Sequence, residues 1–373
     1  MKSTKVNKNF LFFFVHPSKF HVFKKTINCL KENGHKVDIL ITSKDVLEEL
    51  VKEEGWDYTN IFPEGRKMKN IPAYISAGIN TIRTIYRLFK YTKEKKYDLF
   101  ITDDLLVING KFNKTPTIHL QDDDITAVPE SRLILHFASH ILSPHVSNLG
   151  RYEKKKIPFY GYKELGGLHP NVFKPDYSIV EKFNSKEEPY FILRLVLLRS
   201  THDDGKSGLS DKDVEVIIKK LKNYGRVFII AERKLPPQFK KYCISINPNK
   251  IAHALYYAEF LISDSQTMSA EAGVLGTPYI RYNDFVGKIS YLSELENIYK
   301  LGIGIKTKHR SLLFETVDNL LKKKNLKEEW HNRRQIMLKD KIDLSAFMIW
   351  LFENYPRSIK ILKENPEYQK RFK

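Results

Sequence analysis

Apolar residues occur along this chain in short blocks separated by amphipathic segments, a pattern that predicts alternating strands and helices. Residues 10–15 are wholly apolar and predict a buried strand. Residues 21–33 predict a helix that ends at Gly34, and residues 36–41 predict the next strand. Further short strands are predicted at residues 98–102, 115–119 and 140–143. This order predicts an open parallel sheet covered by helices.

A second alternation follows a segment rich in glycine, proline and charged residues. It contains predicted strands at residues 190–198, 226–231 and 243–246, and a helix near residues 211–223. We therefore expect an α/β protein with two Rossmann-like domains, since 373 residues exceed what one hydrophobic core usually organises. The expected divisions are an N-terminal domain (1–172), a linker (173–189), a C-terminal domain (190–335) and a helical tail (336–373).

The segment at residues 261–281, LISDSQTMSAEAGVLGTPYIR, predicts a strand, a polar turn, a short helix and a second strand. Asp264 or Ser265 can cap the helix, and Gly276 followed by Pro278 ends it. The turn then lies at the carboxyl end of a strand, where free N–H groups and the helix dipole suit a phosphate. An ordinary capped helix in a β-α-β unit would give the same pattern.

This predicted helix has two different faces. Met268, Ala272 and Leu275 form an apolar stripe, whereas Thr267 and Glu271 share the opposite, polar face. A carboxylate one turn into the helix is well placed to accept hydrogen bonds from ribose hydroxyls. One face is thus expected to pack and the other to meet a ligand.

Composition narrows the classes of function. The formal charge of +19 suits nucleic acid, an anionic membrane or an anionic substrate, although the lysines are spread along the chain rather than massed in a tail. No nucleic-acid reader motif is present, so no nucleic acid is expected as a partner. The two cysteines, Cys29 and Cys243, form no CxxC pair and indicate neither a disulfide scaffold nor a zinc site.

The apolar run at residues 10–15 is too short for a membrane span or a signal segment. We therefore expect a cytoplasmic protein, with any membrane contact peripheral and at the inner face.

Residues 74–96 predict a basic amphipathic helix. Its apolar positions recur at helical spacing and are Ile75, Ile79, Ile82, Tyr86 and Phe89, with Arg83, Arg87 and Lys90 beside them. The stripe can face the core, which is the interpretation that we favour. Alternatively, it can rest on anionic lipid.

Several segments resemble a known family, the domain-of-unknown-function family 354, whose members are called predicted glycosyltransferases. The matching segments cover nearly the whole chain and include HPSKFHVFKKTINCLKENGHKV, GYKELGGLHPNVFKPD, YFILR followed by THDDGKSGL, and DSQTMSAEAGVLGTPYIR with YLSELE. The resemblance implies a GT-B-like fold, in which two Rossmann-like domains with parallel sheets face each other across a cleft. The same superfamily contains the UDP-N-acetylglucosamine 2-epimerases.

The resemblance also implies roles for residues of the second domain. Backbone N–H groups and hydroxyls at Ser265, Gln266 and Thr267 would meet the donor diphosphate, and Glu271 would hold the ribose. The other residues expected at the nucleotide-sugar site are Arg194, Arg199, His202, Asp264 and Ser269. The epimerases carry an adjacent His-Arg pair near the phosphates, whereas this chain spaces Arg199 and His202 apart, which speaks against epimerase chemistry.

The first domain is expected to bind the acceptor and to supply a general base. His16 and His21 are the first candidates, because they flank the end of the first strand and the start of the first helix. Asp122 and Asp124 are further catalytic candidates, in an Asp-x-Asp pattern that binds a metal in another transferase class. GT-B donors are usually neutralised by helix dipoles and basic side chains, so we expect these residues to cap a loop or act as base. We expect neither a metal nor another cofactor.

These inferences predict a glycosyltransferase that moves a sugar from a nucleotide sugar, with a UDP-sugar favoured, to a surface-polysaccharide or glycolipid acceptor. The expected partners are the nucleotide-sugar donor, a glycan or lipid-linked acceptor and an anionic membrane surface. An alternative is a UDP-sugar 2-epimerase or hydrolase. A more distant one is a non-catalytic protein that binds nucleic acid or another anion.

Overall fold

The computed structural model describes residues 7–66, 72–197 and 208–373. The chain divides into two compact units. Unit 1 consists of Met1–Gly167 together with Ile342–Lys373, and unit 2 consists of Leu168–Lys341. The last 32 residues, most of the predicted helical tail, therefore belong to unit 1.

Unit 1 contains a sheet of seven parallel strands in the order β3-β2-β1-β4-β5-β6-β7. The strands are β1 (Asn9–Phe14), β2 (Lys36–Ile41), β3 (Thr59–Asn60), β4 (Leu99–Thr102), β5 (Thr117–Leu120), β6 (His140–Pro144) and β7 (Lys156–Phe159). Strand β1 is almost wholly buried, as expected for a parallel strand covered on both faces.

Helices cover both faces of this sheet. They are α1 (Pro17–Glu32), α2 (Leu47–Glu53), α3 (Ala73–Thr92), α4 (Leu106–Asn113), α5 (Ser131–Phe137), α6 (Leu165–Leu168), α14 (Leu344–Glu353) and α15 (Arg357–Glu364), with 3-10 turns at Gly150–Lys155 and Pro366–Phe372. Helix α14 buries Phe352, whose ring centroid lies 6.1 Å from that of Phe12 in β1. The C-terminal segment thus contributes to the core of unit 1.

Helix α3 presents four of the five residues of its predicted apolar stripe to solvent, and the fifth, Ile79, is half-buried. Ile75, Ile82, Tyr86 and Phe89 are exposed, whereas the buried side carries Thr84, Leu88 and Thr92. The two threonine hydroxyls donate to carbonyl oxygens of their own helix, Thr84 to Asn80 O and Thr92 to Leu88 O. Their polarity is satisfied locally and they can face the core, so the core-facing interpretation of the stripe is wrong.

Unit 2 contains a sheet of five parallel strands in the order β12-β11-β10-β8-β9. The strands are β8 (Tyr190–Leu195), β9 (Arg226–Ala231), β10 (Leu261–Ser263), β11 (Tyr279–Tyr282) and β12 (Gly302–Ile305). The helices are α7 (Ser178–Glu181), α8 (Asp211–Leu221), α9 (Ile251–Tyr257), α10 (Gln266–Leu275), α11 (Ser290–Asn297), α12 (Arg310–Leu321) and α13 (Leu326–Asp340), with 3-10 turns at Pro237–Tyr242 and Pro248–Lys250.

Two segments of unit 2 differ from the predicted pattern. Residues 173–189, expected as a linker, form part of the core of unit 2, where Val180 is buried and the ring of Phe183 lies edge-on to Phe228 at 5.0 Å. Residues 243–246 form no strand, and only Cys243 makes an isolated bridge, to Ile229. Apolar runs this short do not distinguish strands from packed loops.

Among the described residues, no helix has the length and apolar character needed to cross a bilayer.

Candidate functional site

The order of the strands in unit 2 reverses between β8 and β10, which are neighbours in the middle of the sheet. Arg194 of β8 lies opposite Ser263 of β10, near the carboxyl ends of both strands. Such a switch point opens a crevice outside the strand ends, and α/β proteins bind ligands there. Residues that follow β8 and β10 are therefore the first candidates for a binding site.

Helix α10 begins at this point and is capped by Ser265. The Ser265 hydroxyl accepts a hydrogen bond from the backbone N–H of Met268 at 3.3 Å, and the Ser269 hydroxyl donates to Ser265 O at 2.6 Å. The helix ends at Gly276, whose φ of 82° is left-handed. With ten residues and free N–H groups in its first turn, α10 can meet an anion at its N-terminus.

The two faces of α10 differ as the sequence predicted. Met268, Ala272 and Leu275 are buried in the core of unit 2. Ser265, Gln266, Thr267 and Glu271 are only partly buried and form the accessible side of the helix, whereas Ser269 is buried.

Asp264 makes contacts within the protein and does not cap α10. Its carboxylate accepts hydrogen bonds from the backbone N–H groups of Val196 at 2.8 Å and Leu209 at 3.3 Å. Burial raises the pKa of this carboxyl to about 6. A side chain at Gly208 would approach the Asp264 Cβ to 2.7 Å, so only glycine fits there without a shift. Asp264 thus fixes the chain on both sides of residues 198–207. The candidates Arg199 and His202 belong to that segment and lie outside the described residues.

Arg194 is positioned near the start of α10. One end of its guanidinium makes an ion pair with Glu232, while its buried Nε has no hydrogen-bond partner among the described residues. Glu232 also accepts a hydrogen bond from Leu197 N at 3.3 Å. Arg194 therefore places a partly exposed positive charge near the start of α10, where it suits an anionic ligand.

A buried ion pair that the sequence did not predict lies at the carboxyl ends of the strands in the unit 2 sheet. Arg281 is fully buried at the end of β11 and donates to both carboxylate oxygens of Glu296, at 2.7 and 3.0 Å. The neighbouring Asn283 donates to the backbone carbonyl of Asp264 at 2.9 Å. A lone arginine within the apolar Tyr279–Tyr282 strand was the available signal.

A cavity of about 630 Å³ lies elsewhere in unit 2, against the edge strand β12. Its lining includes Gly302, Gly304 and Trp330 but none of the predicted site residues. The strand order and the polar residues place the candidate site at β8 and β10 and not at this cavity.

Unit 1 contains a cluster of buried charges at the carboxyl end of its sheet. The Asp122 carboxylate, just after β5, makes ion pairs with Lys19 of α1 at 2.6 Å and with Lys163, which follows β7. None of the three residues is more than 7% exposed. Burial opposes ionisation of Asp122, but the two ammonium groups hold its pKa well below the usual range. Asp122 is therefore a fixed negative charge and a poor general base.

Two other buried carboxyl groups near this cluster have raised pKa values, because no pair of ammonium groups offsets the effect of burial. Neither oxygen of Glu164 has a hydrogen-bond partner among the described residues, and Lys163 Nζ lies 3.9 Å from one of them. Burial raises the pKa of Glu164 to about 7 and that of Asp103, which follows β4, to about 6. Both groups can exchange a proton near neutral pH, and such buried, perturbed carboxyls favour a functional site.

The predicted histidines are less suitable as bases than the sequence suggested. His16 caps α1, accepting a hydrogen bond from Ser18 N at 3.3 Å. Desolvation and the positive charges of Lys44, Lys163 and Lys19 lower its pKa, although the ring remains exposed to solvent. Desolvation also lowers the pKa of His21, to about 4. An imidazole with a lowered pKa is neutral at pH 7 but accepts a proton weakly.

Asp124, the remaining catalytic candidate, accepts a hydrogen bond from Asn148 N at 2.9 Å and fixes the loop after β5. The described residues contain no group of three or more His, Cys, Asp or Glu side chains placed to hold a metal ion.

No family model and no curated protein matches this chain, so membership of domain-of-unknown-function family 354 stays a prediction. Solved structures do match over nearly its whole length. They include S. aureus MnaA with UDP (13% identity, 95% of this chain and 98% of that chain, TM-score 0.64). They also include the Methanocaldococcus jannaschii UDP-GlcNAc 2-epimerase with UDP-GlcNAc and UDP (15% identity, 88% of this chain and 99% of that chain, TM-score 0.61). A third is the spinosyn forosaminyltransferase SpnP (12% identity, 96% of this chain and 100% of that chain, TM-score 0.62).

Identities this low establish the fold alone. The two parallel Rossmann-like sheets, of seven and five strands, match those of these glycosyltransferases and epimerases, so the chain has a GT-B-like fold.

Proposed function

We propose that this protein is a GT-B-type glycosyltransferase that moves a sugar from a nucleotide sugar, with a UDP-sugar favoured, to a glycan or lipid-linked acceptor. One observation carries the proposal: the capped N-terminus of α10 lies at the switch point of the unit 2 sheet, beside Arg194. Two of the similar structures contain UDP, which supports UDP as the nucleotide.

Unit 2 would hold the donor. The first-turn N–H groups at Gln266 and Thr267 and the Ser265 hydroxyl would bind the diphosphate, assisted by the helix dipole and by Arg194. Glu271, on the same accessible side of α10, would accept hydrogen bonds from the ribose hydroxyls. Arg199 and His202 remain candidates for phosphate contacts on the basis of the sequence.

Unit 1 would supply the proton acceptor. In the transfer, the acceptor hydroxyl oxygen bonds to the anomeric carbon, and the bond from that carbon to the diphosphate oxygen breaks with its electron pair leaving on UDP. The hydroxyl proton passes to a protein base. We propose Glu164 or Asp103 for this role, because burial raises the pKa of each carboxyl toward neutrality, whereas Asp122 is held by two lysines.

A UDP-sugar 2-epimerase or hydrolase is the second candidate function. It is favoured by the buried carboxyl groups of Asp103 and Glu164 near the sheet edge of unit 1, because epimerisation requires proton transfers at the sugar ring itself. Such an enzyme needs no acceptor.

Calorimetry with UDP and a panel of UDP-sugars, with and without Mg²⁺, tests the donor site. Binding at about micromolar Kd or tighter, independent of Mg²⁺, is expected. No binding by any nucleotide would overturn the proposal.

NMR of UDP-GlcNAc incubated with the enzyme alone then separates the two functions. Release of UDP or a change of sugar configuration without acceptor would favour the epimerase or hydrolase, and an unchanged substrate would favour the transferase.

A further inference from the structure

Unit 1 exposes an unusual concentration of large apolar side chains on one layer of helices. Of the eleven large hydrophobic residues that are exposed in the described parts of the chain, six lie on α3, α4 and α5. They are Ile75 (41% exposed), Ile82 (70%), Tyr86 (66%) and Phe89 (44%) on α3, Phe112 (69%) on α4 and Leu133 (60%) on α5. We call this set the apolar face.

The three helices form one continuous layer. They connect β3 to β4, β4 to β5 and β5 to β6, so right-handed crossovers place them all on the same side of the sheet. Helices α3 and α4 are joined directly, because Asn109 donates to Ile85 O at 3.1 Å and Asn113 donates to the Thr92 hydroxyl at 2.9 Å. The inner side packs Leu88, Leu106 and Leu135 into the core. The apolar face is therefore the outer surface of a well-packed layer.

The charge of this layer has a single sign. Helices α3, α4 and α5 contain no aspartate or glutamate, whereas they carry Arg83, Arg87, Lys90, Lys111 and Arg132. Arg83 and Arg87 form ion pairs with Glu64, from the segment before α3. Lys90, Lys111 and Arg132 are exposed on the same helices as the apolar face. The layer thus combines apolar side chains with three basic residues, Lys90, Lys111 and Arg132, that make no ion pair with the residues that the structure describes.

We propose that the apolar face docks on an anionic lipid surface. The side chains of Ile82, Tyr86 and Phe112 would enter the boundary between head groups and acyl chains, while Lys90, Lys111 and Arg132 contact anionic head groups. Tyrosine suits this boundary, since its ring is apolar and its hydroxyl polar.

Two other occupants fit these observations less well. A second copy of the chain, docked through the same face, would place the basic residues of both copies against each other. A nucleic acid would match the charge and could stack on Tyr86, Phe89 and Phe112, but it would leave the exposed aliphatic side chains without an apolar partner. The combination of aliphatic, aromatic and basic side chains favours lipid.

Vesicle co-sedimentation tests the proposal and does not depend on the enzymatic reaction. The purified protein is mixed with phosphatidylcholine vesicles, with or without phosphatidylglycerol, at low and high salt. Binding only to the anionic vesicles, and weaker at high salt, is expected. Equal binding to both vesicles, or to neither, would overturn the proposal.

Two double variants locate the contact. Ile82→Ser with Tyr86→Ser, and Lys90→Glu with Lys111→Glu, are each expected to weaken binding about tenfold or more. The matched controls in unit 2 are Leu312→Ser with Ile336→Ser, and Lys322→Glu with Lys324→Glu, which are expected to bind as the wild type does. All four positions are exposed.

Light scattering and a DNA competitor distinguish the other occupants. A stable dimer that the Ile82→Ser, Tyr86→Ser variant dissociates would assign the face to a second copy. DNA binding that the Lys90→Glu, Lys111→Glu variant abolishes, with no vesicle binding, would assign it to nucleic acid. Unchanged thermal unfolding of the variants shows that lost binding does not reflect misfolding.

Discussion

The candidate sites at the carboxyl edges of the two sheets differ in how far apart their residues lie along the chain. In unit 2 the site is largely local, since β10, the Ser265 cap and the accessible side of α10 come from 15 consecutive residues, which Arg194 of β8 joins. In unit 1 the ion cluster joins Lys19, Asp122 and Lys163, which are 103 and 41 residues apart along the chain. The local site presents backbone dipoles and hydroxyls to a ligand, whereas the non-local one consists of buried side-chain charges. The two sites should therefore respond differently to substitution.

The largest effect is expected when the central charge of the unit 1 cluster is removed. Asp122→Asn leaves the buried Lys19 and Lys163 ammonium groups without their shared counter-charge. Unfolding free energy should fall by about 3–5 kcal/mol in urea titrations. The control Asp124→Asn, in the same loop, weakens a hydrogen bond to Asn148 and should lose about 1 kcal/mol. Equal losses for the two variants would show that the buried ion pairs of Asp122 contribute no more to stability than the single hydrogen bond of Asp124.

Glu164→Gln should change stability in the opposite direction. The raised pKa of Glu164 means that its contribution to stability is present below about pH 4.5 and is lost as the pH rises through about 7. The variant should therefore equal the wild type near pH 4 and exceed it near pH 8 by up to about 3 kcal/mol.

The same variant should have a lower turnover. Its pH–rate profile should also lose the limb that reports the ionisation of Glu164. A gain in stability combined with a loss of turnover is the behaviour expected of a site kept for function. The exposed Glu328→Gln serves as control and should change neither property. A variant that is destabilised near pH 8, or one that keeps full activity, would exclude Glu164 as the proton acceptor.

In unit 2 a comparable change should affect ligand binding more than stability. Glu271→Ala removes the proposed ribose contact, and UDP affinity should fall by about 10–100-fold in calorimetry while the melting temperature changes less than in Asp122→Asn. Glu315→Ala, at an exposed position of α12, should leave both unaffected. Unchanged UDP affinity of Glu271→Ala would remove Glu271 from the site.

The smallest expected effect concerns the cap of α10. Ser265→Ala should lower stability by about 1 kcal/mol, because one N–H group loses its acceptor, and should also weaken UDP binding. Asp343→Ala removes the cap of α14 in unit 1, where the carboxylate accepts from Ala346 N at 3.0 Å. It should have a similar effect on stability and none on binding. If both variants bind UDP alike, the N-terminus of α10 does not contact the diphosphate.

The local site was largely predictable from the sequence because capping and helical periodicity act over a few residues. The two-faced helix was predicted correctly from the positions of Met268, Ala272 and Leu275. The cap was narrowed to Asp264 or Ser265, and only the structure decided for Ser265, since Asp264 bonds to Val196 and Leu209 instead. No local sequence pattern predicts a hydrogen bond between residues that are 68 positions apart.

The unit 1 cluster was only partly predicted. Strand-end placement indicated Asp122, but nothing in the sequence paired it with Lys19 or Lys163, or showed that Glu164 is buried. A Lys-Glu pair within the apolar and glycine-rich segment PFYGYKELGGL was the available signal. Helical periodicity located the stripe of α3 correctly but not its direction. An apolar stripe lies equally well against a core or against another surface. The core-facing side of α3 carries Thr84 and Thr92, whose polarity in the sequence suggested a side that faces solvent.

The sequence by itself determined the alternation of strands and helices, the presence of two parallel-sheet units and the capped helix after β10, because periodicity, caps and glycine conformations are properties of neighbouring residues. Only the tertiary structure decided which charges meet, which carboxyls lose contact with water and which apolar stripe stays exposed. Those outcomes depend on the distances and burial that arise when strands far apart in the chain become neighbours in one sheet, and burial then sets the energy of each charge.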